Sequence, residues 1–222
     1  MTNLNVNEAR VLGVLIEKAA TTPEQYPLSI NALTLGANQK SNRDPVLDLS
    51  EDEVFDAVES LRAKGLVIRV DQAGARVQKY RHHAGETLRC RAAELAVLAE
   101  LLVRGPQTLG ELRGRAVRMA EGSLQSLDDA RAMIRALSDR PEPLVKQIAP
   151  VPGSRADRYV QLLCPDDRAD ETGSGDEASA NDTPGVSMTL IERVTKLESD
   201  VERLNAMVRK LSVALGEPVG DE

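Results

Sequence analysis

The chain is poor in aromatic residues. Its 222 residues include no tryptophan, one phenylalanine and three tyrosines, so aromatics make up 2% of the sequence. Hydrophobic cores must therefore be built from leucine, valine, isoleucine and alanine, which favours small helical units over large sheets or a deep cofactor pocket. No apolar run approaches the roughly 20 residues that a membrane-spanning helix needs, and the N-terminal residues lack the pattern of a signal peptide. We therefore expect a soluble, cytoplasmic protein with no membrane partner.

Cysteine and histidine are also scarce. Cys90 and Cys164 are the only cysteines, which indicates a reduced cytosolic chain with two incidental thiols. His82 and His83 are the only histidines, and they are adjacent in a predicted strand, where their side chains would point to opposite faces. With Cys90 they could supply part of a zinc site, but no CxxC or HxxxH spacing supports one. We predict no metal site and no cofactor.

The sequence contains no recognisable catalytic motif. Gly13, Gly36 and Gly114 are isolated inside predicted helices and form no phosphate-binding loop. Neither a nucleophile elbow nor a cleft with paired carboxylates is evident. We predict that the protein is not an enzyme, and we assign no catalytic residues.

The net charge of −7 is unevenly distributed along the chain. Residues 1–89 and 90–165 carry −1 and +2, whereas residues 166–222 carry −8. The acidity therefore belongs to the C-terminal part, and the two preceding segments are close to neutral. Near-neutral segments neither exclude nor indicate nucleic-acid binding.

Residues 50–81 predict a helix that runs directly into a β-hairpin. Ser50 and Glu53 form a capping box at the helix start, and Gly65 is typical of a helix end. Between them, apolar residues recur at helical spacing, and after Gly65 come two β-rich runs separated by a turn, at 66–70 and 76–81. Two further helices precede this segment, capped by Asn5 and Ser29. The order helix, helix, helix, hairpin is that of a winged helix.

The same order repeats in residues 90–165. The stripe Leu95, Leu98, Ala99 and Leu102 opens this second unit, Thr108 and Ser126 cap its next two helices, and two strands follow at 144–149 and 158–163. We predict a mainly α protein with small β-hairpins (α+β): two tandem winged-helix domains, an acidic linker and a C-terminal coiled-coil helix. The predicted boundaries are 1–89, 90–165, 166–187 and 188–215.

The two units differ in one loop. The first and third apolar stripes start 42 positions apart in the first unit, at Leu12 and Val54, but 35 apart in the second, at Leu95 and Ala130. The extra residues fall most naturally in the loop from Gln39 to Leu49. DNA-reading helix-turn-helix motifs usually have a turn of about 3–4 residues at this point, so the first unit departs from that pattern.

Residues 166–187 are acidic, rich in Gly and Ser, and almost devoid of apolar side chains, so we predict a disordered linker. Beyond it, apolar residues alternate at steps of four and three, the 3.5-residue period of a coiled coil. Valine at the a positions with leucine at d favours a parallel homodimer, while folding of one amphipathic helix back onto its own chain stays open. The dimerisation residues would be Leu190, Val194, Leu197, Val201, Leu204, Val208, Leu211 and Leu215.

Several longer stretches resemble the bacterial YceH-like family, proteins of uncharacterised function described as tandem winged-helix domains. The matching stretches are Glu8–Val11, Thr21–Leu28, Asn38–Arg43, Ala92–Glu94, Arg104–Gly105, Gln107–Thr108, Gly110–Arg113 and Tyr159. The resemblance covers about residues 4–164, with an acidic linker and terminal helix of similar kind after it. It implies the same architecture, and it carries over no activity and no catalytic residues.

Two functions remain open: binding of duplex DNA, which would make the protein transcription-regulatory in character, and a scaffold that docks other proteins through its winged helices. In the first unit the third helix is acidic and poorly suited to a phosphate-lined groove, whereas the second unit is richer in arginine. Scattered arginines can also be an ordinary solvated surface. The candidate nucleic-acid-binding residues are Lys40, Arg43, Arg113, Arg115, Arg118, Arg131, Arg135, Arg155 and Arg158.

The inserted loop at 38–45 has two interpretations of its own. In the structural one, its Asn and Asp side chains bond nearby backbone groups and hold the loop against Thr21–Pro27. In the functional one, Lys40 and Arg43 project from the loop and present hydrogen-bond donors to an anionic partner.

Overall fold

The capping side chains seen in the sequence do begin the helices. The computed structural model describes residues 3–70, 77–120 and 122–164. Reciprocal capping boxes are present at Asn5, Ser50, Thr108 and Ser126, where the backbone N–H of Ser50, for example, donates to the Glu53 carboxylate at 2.8 Å. The described residues contain α1 Val6–Thr21, α2 Ile30–Ala37, α3 Glu51–Ala63, α4 Ala84–Thr87, α5 Ala92–Arg104, α6 Leu109–Ala116 and α7 Leu127–Ser138.

Within the described ranges, five short strands form two small antiparallel sheets. They are β1 Val67–Val70, β2 Lys79–His82, β3 Gln107–Thr108, β4 Val145–Ile148 and β5 Arg158–Gln161. β1 pairs with β2, and the second sheet has the order β3–β5–β4. Leu28 forms an isolated antiparallel bridge with Tyr80 of β2. In the first half this bridge corresponds to the pairing of β3 with β5 in the second. The predicted mixture of helices with small hairpins is therefore confirmed, and the order of elements is the same in both halves.

Three local features were not predicted. The two-residue strand β3 and the one-turn helix α4 are too short to produce a periodic pattern. His82 lies in β2, but His83 does not continue the strand and instead precedes α4 as its N-cap residue. The expectation that both histidines belong to one strand is therefore wrong.

Helices α1 and α5 form the centre of the core. The residues from Glu8 to Glu17 are all buried, as are those from Ala93 to Val103, and the two helices pack against each other. Gly13 allows this close approach, because a Cβ atom there would lie 2.7 Å from Val103 Cγ1 and 3.0 Å from Leu102 Cβ. Both halves therefore contribute to one hydrophobic core, and a domain boundary at residue 89 stays a prediction.

No helix in the described ranges is long and apolar enough to cross a membrane. The predicted linker and coiled coil, at 166–187 and 188–215, lie outside the described residues. The dimerisation residues from Leu190 to Leu215 therefore stay predictions.

Candidate nucleic-acid interface

The candidate interface is formed by α6, α7 and the β4–β5 hairpin. Burial of Leu112 and Ala116 fixes the inward face of α6, and burial of Ile134 and Leu137 fixes that of α7. The opposite faces of both helices are exposed, as expected for amphipathic helices on a protein surface. Among the sequence-predicted arginines, this arrangement exposes Arg113 on α6, Arg131 and Arg135 on α7, and Arg155 between β4 and β5.

Three of these arginines have no partner within the described residues. The guanidinium groups of Arg113, Arg135 and Arg155 make no hydrogen bond or ion pair with any side chain or backbone group that the structure describes. The side chain of Lys146 on β4 is likewise exposed and without a described partner, and no motif in the sequence singles this residue out. A guanidinium without an internal carboxylate keeps its full charge for an anionic ligand.

Other predicted arginines are already occupied. Arg131 pairs with Asp128 one turn earlier on α7. Arg115 donates to Gln107 Oε1 at 2.7 Å and lies 3.2 Å from the Glu111 carboxylate. Arg158 is half-buried and donates to a backbone carbonyl, that of Pro106, at 3.0 Å. Their charge or hydrogen-bonding capacity is partly used within the protein.

Arg118 belongs to a charge cluster at the α1–α5 contact. One of its nitrogens, Nη2, lies 2.5 Å from Glu17 Oε1 of α1 and 3.2 Å from Glu100 Oε1 of α5. Burial alone would lower the pKa of Arg118, but the two glutamates outweigh it and the pKa is raised. The side chain is 40% exposed, so this guanidinium covers two carboxylates that are themselves almost fully buried.

Arg43, which lies in the inserted loop, also belongs to this charge cluster. Its side chain is 0% exposed, and its Nη2 donates to Glu17 Oε2 at 2.6 Å. Its Nε donates to the Gly36 carbonyl at 3.0 Å and its Nη1 to the Asn42 carbonyl at 2.8 Å. The expectation that Arg43 projects into solvent is therefore wrong, because the buried Glu17 carboxylate and two carbonyls draw it inward.

A further arginine, which the sequence analysis did not select, closes the cluster. Arg104 of α5 has its Nε 3.2 Å from Glu100 Oε2 and also donates to the Asn42 side chain. Burial lowers the pKa of Arg104, Glu100 raises it, and the neighbouring Arg115, Arg118 and Arg43 lower it further. We call Glu17, Arg43, Glu100, Arg104 and Arg118 the buried charge cluster.

The rest of the inserted loop is held by a different set of bonds from those expected. The Asn38 side chain bonds both backbone groups of Leu49, at 2.7 and 2.8 Å, and the Asp44 N–H donates to the Val103 carbonyl at 2.9 Å. These bonds join the start of the loop to its end at Leu49 and attach the loop to α5. The described bonds do not link the side-chain amides of the loop to residues 21–27. Lys40 does project from the loop and has no described partner.

Metal-ligating residues are not grouped in the part of the chain that the structure describes, where no three His, Cys, Asp or Glu side chains come together. Burial lowers the pKa of His82, and its ring packs near that of Tyr26 with centroids 6.1 Å apart. Cys90 and Cys164 form no disulfide with any residue that the structure describes, and burial raises the pKa of the Cys90 thiol.

The geometry defines a class of mixed α and β protein with a duplicated helix, helix, helix, hairpin order and an arginine-bearing face on its second half. The family described as protein of unknown function DUF480 matches residues 4–154. The chain is 42% identical over 221 residues to a UPF0502 protein of Shewanella putrefaciens, covering 96% of this chain and 99% of the relative. It is 45% identical over 203 residues to a UPF0502 protein of Geobacter sulfurreducens, covering 90% of each.

The chain therefore belongs to the DUF480 family of uncharacterised bacterial proteins. The expected relation to such a family is confirmed, while the YceH-like name itself remains a resemblance.

Proposed function

We propose that the chain is a non-enzymatic, cytoplasmic DNA-binding protein, regulatory in character, whose residues 90–164 act as a winged helix. The element order α5, β3, α6, α7, β4, β5 and the sheet order β3–β5–β4 support this arrangement. In a winged helix the third helix lies in the major groove and the hairpin reaches the DNA backbone. Here α7 takes the part of the third helix and residues 149–157 that of the wing tip.

The observation that carries the proposal is the set of exposed, unoccupied arginines. Arg113, Arg135 and Arg155 lie on α6, on α7 and in the β4–β5 loop, and have no partner in the described parts of the chain. Phosphate contacts by such cations release counterions and supply most of the affinity for DNA. The corresponding helix of the first half, α3, has three carboxylates in its first turn. The second half is therefore the better DNA-binding surface.

The test is a fluorescence anisotropy titration of random duplex DNA with the full chain at about 50 and 200 mM salt. Arg113→Ala combined with Arg135→Ala should weaken binding to all sequences. It should also make the slope of log K against log salt shallower by about 2, since each lost phosphate contact contributes about 0.9.

A matched control is Lys79→Ala combined with Arg81→Ala, which removes two cations from β2 in the first half. This pair should leave the slope unchanged. Equal losses in both double variants would mean that only overall charge matters and would contradict the proposed site. Absence of binding by the unaltered chain at low salt would refute DNA binding altogether.

A parallel homodimer formed by residues 188–215 would present two copies of this surface to one duplex. Light scattering on the full chain and on a chain that ends at Cys164 should give a dimer and a monomer, respectively. Two monomers would refute the dimer and favour the folded-back helix.

A further inference from the structure

The third helices of the two halves share a buried face but differ on the outside. Both follow a serine N-cap, and the buried positions Val54, Val58 and Leu61 of α3 correspond in spacing to Ala130, Ile134 and Leu137 of α7. On the exposed side, the positions of Arg131 and Arg135 in α7 are taken by Phe55 and Glu59 in α3. The same helical scaffold thus presents a cationic outer face in α7 and an apolar and acidic one in α3.

Phe55 is the only phenylalanine of the chain, yet it does not join the core. It is 43% exposed, while the smaller Val54 and Ala57 beside it are buried. Full burial of such a side chain is worth about 1.5–3 kcal/mol, so an exposed fraction of 43% forgoes part of that contribution. Leu35 of α2 is 68% exposed in the same half.

Phe55 and Leu35 both lie close to a hydrogen bond that joins α2 to α3. The Asn31 side chain of α2 donates to Glu51 Oε1 of α3 at 2.9 Å, which joins the outer faces of the two helices. Leu35 follows Asn31 by four residues, and Phe55 follows Glu51 by four. Residues four apart lie on the same side of a helix. Each apolar side chain therefore lies about one helical turn from the Asn31–Glu51 bond, on the same side of its helix as that bond.

Two carboxylates adjoin Phe55. Asp52 and Asp56 adjoin Phe55 on the exposed side of α3, and neither has a hydrogen-bonding or ionic partner among the described side chains. The helix dipole accounts for acidic residues in the first turn, which include Asp52, but Asp56 lies beyond it. We call Leu35, Asp52, Phe55 and Asp56 the α2–α3 surface.

From this charge pattern we infer that the α2–α3 surface docks a lysine- or arginine-bearing amphipathic segment of a partner protein. Phe55 and Leu35 would contact the apolar side of the segment, and Asp52 and Asp56 would pair with its cations. Buried aromatic anchors ringed by polar contacts are the usual source of affinity in protein interfaces. Nucleic acid and anionic lipid do not fit, because their phosphates would meet unpaired carboxylates.

The probe is a labelled Leu/Lys peptide of about 18 residues, five helical turns, with leucines at helical spacing. A peptide of the same composition with alternating Leu and Lys serves as the control for charge alone. In anisotropy titrations the full chain should bind the first peptide about tenfold or more tightly than the second, a difference of about 1.4 kcal/mol. Equal affinities, or no binding, would overturn the inference.

Variants locate the binding. Phe55→Arg introduces the residue that α7 carries at the corresponding position, so the helix scaffold tolerates it, and it should weaken peptide binding about tenfold or more. Asp52→Asn with Asp56→Asn should weaken it and reduce its salt dependence. The control Leu127→Ser, at an exposed leucine of α7, should change neither.

Two outcomes would assign the binding elsewhere. Unchanged affinity in the Phe55→Arg variant would place the peptide on the acidic C-terminal residues and refute the α2–α3 surface. A loss of self-association in the same variant, measured by light scattering across concentrations, would identify a second copy of this chain as the occupant. That result too would overturn the proposed partner.

Discussion

Replacement of Arg43 by methionine tests whether the inserted loop is held by a buried charge. Methionine keeps an unbranched stem of similar length but removes three hydrogen bonds, to Glu17, the Gly36 carbonyl and the Asn42 carbonyl. It also leaves the Glu17 carboxylate, which is 4% exposed, with Arg118 as its remaining cation. Breaking a buried ion pair costs about 3–5 kcal/mol.

Because Arg118 still neutralises Glu17, we take the lower end of that range, about 3 kcal/mol in the free energy of unfolding. A domain of this size should then melt about 6–12 °C lower. Urea unfolding followed by circular dichroism measures the change, and Lys40→Met, at an exposed position of the same loop, should stay within about 0.5 kcal/mol of the unaltered chain.

A second variant separates the effect of the Glu17 charge on stability from the effect of packing lost at Arg43. Adding Glu17→Gln to Arg43→Met removes the buried carboxylate that has lost one of its two arginines, so the double variant should be less destabilised than the sum of the two single ones, by about 0.5–3 kcal/mol. A loss below about 1 kcal/mol in Arg43→Met, or strict additivity with Glu17→Gln, would refute the buried pair. Weaker DNA binding with an unchanged melting temperature would instead restore the functional interpretation of this arginine.

Two further predictions concern the core and the first sheet. Gly13→Ala should destabilise the protein by about 1–3 kcal/mol, because the new Cβ would meet side chains of α5. Gly114→Ala, at a position of α6 where a Cβ meets nothing, should stabilise it by about 0.5–1 kcal/mol. Equal effects of the two variants in thermal unfolding would contradict the close contact between α1 and α5. For His82, burial holds the folded-state pKa below the unfolded value of about 6.5, so the folded state binds fewer protons. Its contribution to stability is complete above that pH and is lost as pH falls below it, by at most about 1.4 kcal/mol per unit. His82→Gln should make the free energy of unfolding depend less on pH in this range. Parallel curves of that free energy against pH for the variant and the unaltered chain, between about pH 8 and 5.5, would refute the assignment of this dependence to His82.

The local elements were predictable because their determinants lie within a few residues of one another. The capping box at Ser50, the apolar spacing of α3 and the turn glycine Gly65, with φ of 71°, all act within one or two turns. The repeat of this order in the second half was visible for the same reason. The packing of α1 on α5 was not, since it joins residues about 90 positions apart and no short pattern encodes it.

One sequence feature did point to the buried charge cluster. Glu17 follows the apolar run 11–16, and Glu100 lies in a helix that is apolar on every side. A helix apolar all round is a buried helix, and a carboxylate buried in it must find a cation. The partner could not be read from the sequence, because Arg43 stands in a polar loop where a cation normally faces water. The attachment of that loop to α5 brings it inside.

The buried charge cluster also changes which arginines can report on DNA binding. Arg115 and Arg118 looked suitable in the sequence because the second unit lacks the dense acidic residues found at 50–64 in the first. In the folded chain Arg118 covers Glu17 and Glu100, so its removal would leave two buried carboxylates less well neutralised and lower stability. A loss of DNA binding in such a variant could then reflect unfolding rather than a lost phosphate contact. The side chains of Arg113 and Arg135 have no such internal role in the described structure. When they are replaced, a change in the salt dependence of DNA binding therefore reports on lost DNA contacts alone.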